Sequence, residues 1–295
     1  MTKKLIALAT LIVALVASTS LTGCEDAAPT EYVAQPVVEA FLIVGEPIRD
    51  IRVTRSQSVT DTFRYRNSAV SDADVKLIAG DRTLQLQYRE NDRVGEYYLP
   101  DTTVLVEPTT DYRLVVTMPD GAVVSGRTRT PVQIEWIDAP KTPLQYPLDT
   151  VQLPRPADSL ALSWTPAPSI SEYIISVRSL DTLEYGRYLD PPTDERNRRI
   201  GRFWEENAPF YDDVARIAFL QESSTPVSWF AFKWFGRQEV SVFASDGPFV
   251  NWYKMTHFQN PPQYQPLLGN VDGGLGVVAS ASVVRREVFL VKNAP

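Results

Sequence analysis

Cysteine and histidine are nearly missing from this chain: Cys24 and His257 are the only ones in 295 residues. A single cysteine offers no disulfide framework, and a single histidine excludes a His-based metal cluster. A Ser-His-Asp or Cys-His triad would have to use His257, which lies in Thr256-His257-Phe258, and no G-x-S-x-G elbow occurs anywhere. No segment has the spaced oxygens and closing Glu of a calcium loop, so no cofactor is implied. Beyond residue 21 no apolar run approaches the length of a membrane span. Positive charge is scarce too. Lys and Arg number 29 against 36 Asp and Glu, a net charge of −7 that argues against nucleic acid as a partner. With 44% hydrophobic and 11% aromatic residues, the body is globular rather than disordered.

What is present begins at the N-terminus, where Lys3 and Lys4 precede the uncharged apolar residues 5–21 and the chain continues into Leu21-Thr22-Gly23-Cys24. Positive residues, an apolar run of marginal span length and small residues before a cysteine read as a signal peptide over 1–23. Leu-Thr-Gly-Cys resembles the bacterial lipobox, in which the thiol is diacylated and the chain is cut before the cysteine. Cys24 is then the lipidation site and the first residue of the mature protein. Loss of Lys3 and Lys4 takes the net charge from −7 to −9. Two or three acyl chains, at about 0.8 kcal/mol per buried methylene, hold a protein on a membrane through the lipid alone. Residues 24–35 lack a sustained apolar period and read as a tether. Its acidic pair, Glu25 and Asp26, is similar to export signals that send lipoproteins to the surface in some bacteria; in others an acidic residue there causes retention in the inner membrane.

Past the tether, strand-length stretches rich in Val, Ile, Tyr and Thr are broken by Gly, Pro, Asp and Asn about every ten residues, the pattern of an antiparallel sandwich. Strands are expected at 37–44, 51–56, 73–78, 83–88, 95–98, 112–118 and 122–128. Tyr112, Leu114 and Val116 share one face, and Met118-Pro119-Asp120-Gly121-Ala122 supplies a hairpin turn. Further strands are expected at 158–165, 172–178, 227–235 and 239–244, with a terminal strand at 277–281. Leu160, Leu162 and Trp164 share one face, and Tyr173, Ile175 and Val177 another. That pair resembles the second and third strands of a fibronectin type III module. The expected fold class is all-β: two tandem antiparallel β-sandwich domains, Ig-like or fibronectin type III-like, over 36–132 and 133–295. The second carries an insertion near 183–226, where the period is lost.

Two regions carry candidate contacts. Trp229, Phe230, Phe232, Trp234 and Phe235 crowd one stretch with aromatics on both faces. Either the chain covers the surplus, or Trp229 and Phe235 are exposed and bind a protein or a sugar. Asn270-Val271-Asp272-Gly273-Gly274-Leu275-Gly276 lacks the Lys-Ser/Thr of a phosphate-binding P-loop. Its glycines read as backbone geometry, a bulge or a close strand passage, with Asn270 and Asp272 as the alternative binding residues. The tightest carboxylate groups are Glu205-Glu206, Asp212-Asp213 and Asp72 with Asp74; a glycosidase would need two of them across a cleft.

Several pieces together resemble a family of bacterial outer-membrane lipoproteins known only as a domain of unknown function. They are Val37-Val38-Glu39-Ala40-Phe41-Leu42, Val53-Thr54-Arg55-Ser56, Val70-Ser71-Asp72-Ala73-Asp74-Val75, Tyr112-Arg113-Leu114-Val115-Val116, Glu239-Val240-Ser241-Val242-Phe243-Ala244-Ser245-Asp246, Asn260-Pro261-Pro262 and the Asn270–Gly276 turn. Val278 departs from the aromatic expected after that turn. The resemblance implies an accessory lipoprotein, often encoded beside TonB-dependent receptors, with no catalytic residues assigned. The expected function is therefore non-enzymatic: a lipid-anchored outer-membrane component whose partner is an outer-membrane transporter. The alternatives are a surface module capturing glycan or peptide, and a hydrolase using paired carboxylates.

Overall fold

The computed structural model describes residues 32–58, 62, 64–90, 95–148, 160–200, 215–227, 229–257 and 269–293. The chain groups into Met1–Ala34 and a compact unit, Gln35–Pro295; the fold below is that of the second. In chain order its first strands are β1 (Pro36–Ile43), β2 (Arg52–Arg55), β3 (Asp74–Ala79), β4 (Arg82–Gln85), β5 (Gln87–Arg89), β6 (Glu96–Tyr98), β7 (Asp111–Thr117) and β8 (Val123–Arg129), with a short helix α1 (Tyr65–Ser68) after β2. Then come β9 (Trp136–Asp138), β10 (Leu144–Gln145), β11 (Ala161–Trp164), β12 (Tyr173–Ser179), β13 (Ala215–Leu220), β14 (Ser224–Pro226), β15 (Gly236–Ser245), helix α2 (Gly247–His257), β16 (Val271–Asp272) and β17 (Leu275–Val291). No helix among the described residues is long and apolar enough to cross a membrane.

Period-2 patterning decides most of these strands. In β1 Val38, Ala40 and Leu42 are buried, and in β7 Tyr112, Leu114 and Val116, as the alternation requires. The β7–β8 hairpin closes where Pro119 and Gly121 predict a turn. Gly121, at φ +85°, donates to the Met118 carbonyl, and Met118 to that of Ala122.

One long sheet, in the order β13-β12-β15-β17-β1-β2, runs through the molecule. Two smaller sheets cover it: β16-β8-β7-β3-β4 and β14-β11-β9. The first core comprises buried residues 38–124 plus Val278, and the second lies within 134–290. The two cores thus mark a division between Val124 and Ile134. It does not appear in the long sheet, because β17 pairs with β1 through Leu275–Ala281 and with β15 through Ala281–Leu290. The β1 and β10 pairings with β17 are parallel, so the sheet is mixed rather than purely antiparallel. Parallel neighbours need long connections, and here most of the chain lies between β1 and β17.

β17 serves both cores with one face. That face places Val278 in the first core and Val288 and Leu290 in the second. Between them Ser280 and Ser282 are buried hydroxyls, 0% and 1% exposed. The link from β8 to β9 crosses here, and its backbone needs partners. Ser282 Oγ accepts from the Ile134 N–H at 2.9 Å, and Ser280 Oγ donates to the Arg129 carbonyl at 3.2 Å. The odd face, Val277, Ala279 and Ala281, packs against Phe249 and Val250 of α2 in a third cluster.

Two other expectations are corrected. The described residues of 227–235 form no strand: Trp229–Ala231 is a 3-10 turn and β15 begins only at Gly236, whose φ is +78°. The insertion near 183–226 supplies β13 to the long sheet and β14 to the second cover sheet, so its ends belong to the sandwich. The aromatic segment after Asp246 is helix α2. Asp246 caps it by accepting from the Phe249 N–H at 2.9 Å.

Candidate functional site

Cys24, Glu205, Glu206, Asp212 and Asp213 lie outside the described residues. Trp229 and Phe235 are buried, at 6% and 1% exposure. Both meet the Tyr146 ring edge-on, with centroids 5.6 and 5.3 Å away. A turn, unlike a strand, can send neighbouring side chains the same way, and Trp229 and Phe232 both enter the second core. The surplus aromatics are thus covered by the chain itself. Phe230 is the exposed member, at 44%.

Asn270 acts as a piece of strand. Its amide donates to the Arg127 carbonyl at 2.8 Å and the Val278 carbonyl at 2.7 Å, and its oxygen accepts from the Val278 N–H at 2.9 Å. It ties the first cover sheet to β17. The glycines that follow are geometric: Gly273 and Gly276 have φ of +80° and +117°, and a Cβ on Gly276 would stand 1.9 Å from the Val38 carbonyl oxygen. Asp272 is exposed on β16, opposite Ser125. His257 is the last residue of α2. Asp74 bonds Lys76 and Gln85, which together hold its carboxyl below the usual range. Among the described residues no three His, Cys, Asp or Glu side chains gather as a metal site would require.

The joint between the cores is a polar node that sequence patterning misses. Asp246 Oδ2 accepts from Thr128 Oγ1 and, at 3.1 Å, from the Ser280 N–H, while Oδ1 caps α2. Burial pushes this carboxyl up, and the bonds from Thr128, Phe249 and Ser280 offset only part of that. Three elements, β8, β17 and α2, therefore meet on one side chain. Asp-Gly-Pro at 246–248 was the available signal, since Asp favours the N-cap and Pro the first turn.

Recesses among the described residues of the second half include two of note. A polar one of about 670 Å³ is walled by residues including Glu184, Arg187, Asp194, Glu195 and Arg196. Arg198 is turned away from it, bonded to Asn293 and lying 4.6 Å from the Phe235 ring centre. An apolar groove of about 340 Å³ lies between the edge strands β13 and β14, lined by Ile175, Val177, Ile217, Leu220, Val227 and Phe230 among others. Apolar lining and an exposed aromatic at the lip suit an extended apolar segment better than a sugar.

Comparison with curated proteins gives no match. The family described as Domain of unknown function (DUF4249) matches residues 29–287, nearly the whole of the fold described above, and the chain belongs to that family.

Proposed function

We propose that this protein is a lipid-anchored outer-membrane lipoprotein whose folded body serves a transporter as a non-enzymatic accessory component. The observation that carries the reading is the place of Cys24. This sole cysteine ends a lipobox-like Leu-Thr-Gly-Cys, ahead of the family match at 29 and of the compact unit at Gln35. Acylation there leaves the β-structure untouched, and residues 24–35 reach at most ~40 Å when extended. We read the two cores as Ig-like or fibronectin type III-like sandwiches built on a common sheet. The packing of Trp164 on Tyr173, centroids 5.2 Å apart and edge-on, supports this, as does the Tyr173 hydroxyl accepting from the Ala167 N–H at 2.8 Å.

Mass spectrometry of protein from native membranes tests the anchor: an acylated Cys24 at the N-terminus is expected, and an unmodified N-terminus or a retained leader peptide overturns it. Cys24→Ala should leave the membrane fraction, and a variant that still floats with vesicles sinks the lipid argument. Affinity purification from detergent-solubilised membranes should recover an outer-membrane transporter; no stable membrane partner counts against the accessory role. Peptide capture is the second reading, favoured by the apolar groove between β13 and β14. It predicts that Phe230→Ser abolishes binding of apolar peptides by the purified protein.

A further inference from the structure

The outward face of the first cover sheet carries an arrangement that a sheet normally avoids. β7 and β8 set Asp111 opposite Arg129 and Arg113 opposite Arg127, all four exposed. The first couple is complementary, with Arg129 donating to Asp111 at 2.7 Å. The second sets two guanidiniums directly across from one another, which costs stability in a sheet. Among the described residues neither guanidinium has a carboxylate within ion-pair distance. Asp111 is engaged by Arg129, and Asp272 stands opposite Ser125, a diagonal step from Arg127. The chain holds 36 acidic residues, so the lack of a counter-charge here is not a shortage of acids. Beside the pair, Ile78 stands across from Arg113, and the chain turns away at Gly80, leaving a shallow recess of about 450 Å³.

Arginine forks match phosphate oxygens bidentately, and the oxygens of one phosphate group, free or in a diester, can accept from both neighbouring guanidiniums. We propose that Arg113 and Arg127 form a cross-strand clamp for a phosphate group in the recess beside Ile78 and Gly80. The unfavourable juxtaposition is retained because the anion relieves it. The group can come from a soluble phosphate or from the phosphodiester of a lipid headgroup, and the two are separated by choice of probe.

The test uses the full chain in nonionic detergent, titrated calorimetrically with inorganic phosphate and, separately, with glycerophosphoglycerol. Wild type is expected to bind one or both, and Arg113→Gln/Arg127→Gln to bind at least about tenfold more weakly. Tighter binding of the diester assigns the clamp to a lipid headgroup, and tighter binding of inorganic phosphate to a soluble ligand. Without probe, the double variant should melt at or above the wild-type temperature, since the repulsion is gone. The better-bound probe should then raise the melting temperature of wild type only. Failure of both probes at millimolar concentration, equal binding by the variant, or a fall in its melting temperature overturns the proposal.

Discussion

At Gly126 a methyl group has nowhere to go: it would stand 2.5 Å from Cγ2 of Val278, the side chain that β17 contributes to the first core. Gly126→Ala should cost about 1–3 kcal/mol by overpacking, read as a lowered urea midpoint at unchanged m-value. Val278→Ala in the same chain should recover part of that loss, because it vacates the space. Asp246 makes the complementary case for a polar side chain. Its folded-state pKa lies above the ordinary value of 3.8 because burial disfavours the charged form. Its linkage contribution is therefore fully present below 3.8 and is lost as pH rises through the higher folded value. Asp246→Asn keeps the cap on α2 but cannot ionise. The stability of wild type relative to this variant should fall as pH rises from about 3.5 to 7; a flat difference across that range would contradict the assignment.

Among elements, α2 carries the clearest energetic expectation. Phe249 meets Phe41 edge-on at 5.2 Å and stacks on Tyr253 at 6.0 Å, over the odd face of β17. Phe249→Ala should cost about 3–5 kcal/mol, whereas Phe230→Ser, at the exposed lip of the groove, should stay within about 0.5 kcal/mol; paired denaturation curves distinguish the two. The helix was hard to read because Phe249, Trp252 and Tyr253 are aromatics that sheets also favour, so composition hid the 3.6 period. The cap Asp246 and Pro248 announced it more clearly than its apolar residues did. β7, with one wet face, was legible from alternation alone, as were the inward faces of β1 and β12. The 3-10 turn at Trp229–Ala231 was not, since a tight turn buries aromatics without any period. The glycines after Asn270 were legible as backbone geometry, whereas Asn270, expected as a binding residue, instead bonds the Arg127 and Val278 backbone. The Arg113–Arg127 couple was not, because it depends on register, which no single strand reveals.

For the whole molecule, the two cores lean on one sheet, so they should not melt apart. Urea denaturation is expected to give one transition by tryptophan fluorescence and by circular dichroism alike. Leu290→Ala in the second core should shift that transition by about 2–5 kcal/mol, and Val278→Ala in the first by less, without splitting it. Two separated transitions would show instead that the lobes are energetically independent.

The parallel pairing of β1 with Leu275–Ala281 also fixes an order of events. Synthesis releases β1 first, and its long-sheet partner only after residues 44–274. Until then the first core lacks Val278 and β1 keeps one ladder edge open to strangers. A stop codon ahead of Leu275 would thus deprive both halves at once, and the nascent chain must be kept from self-association until Leu275–Ala281 has emerged.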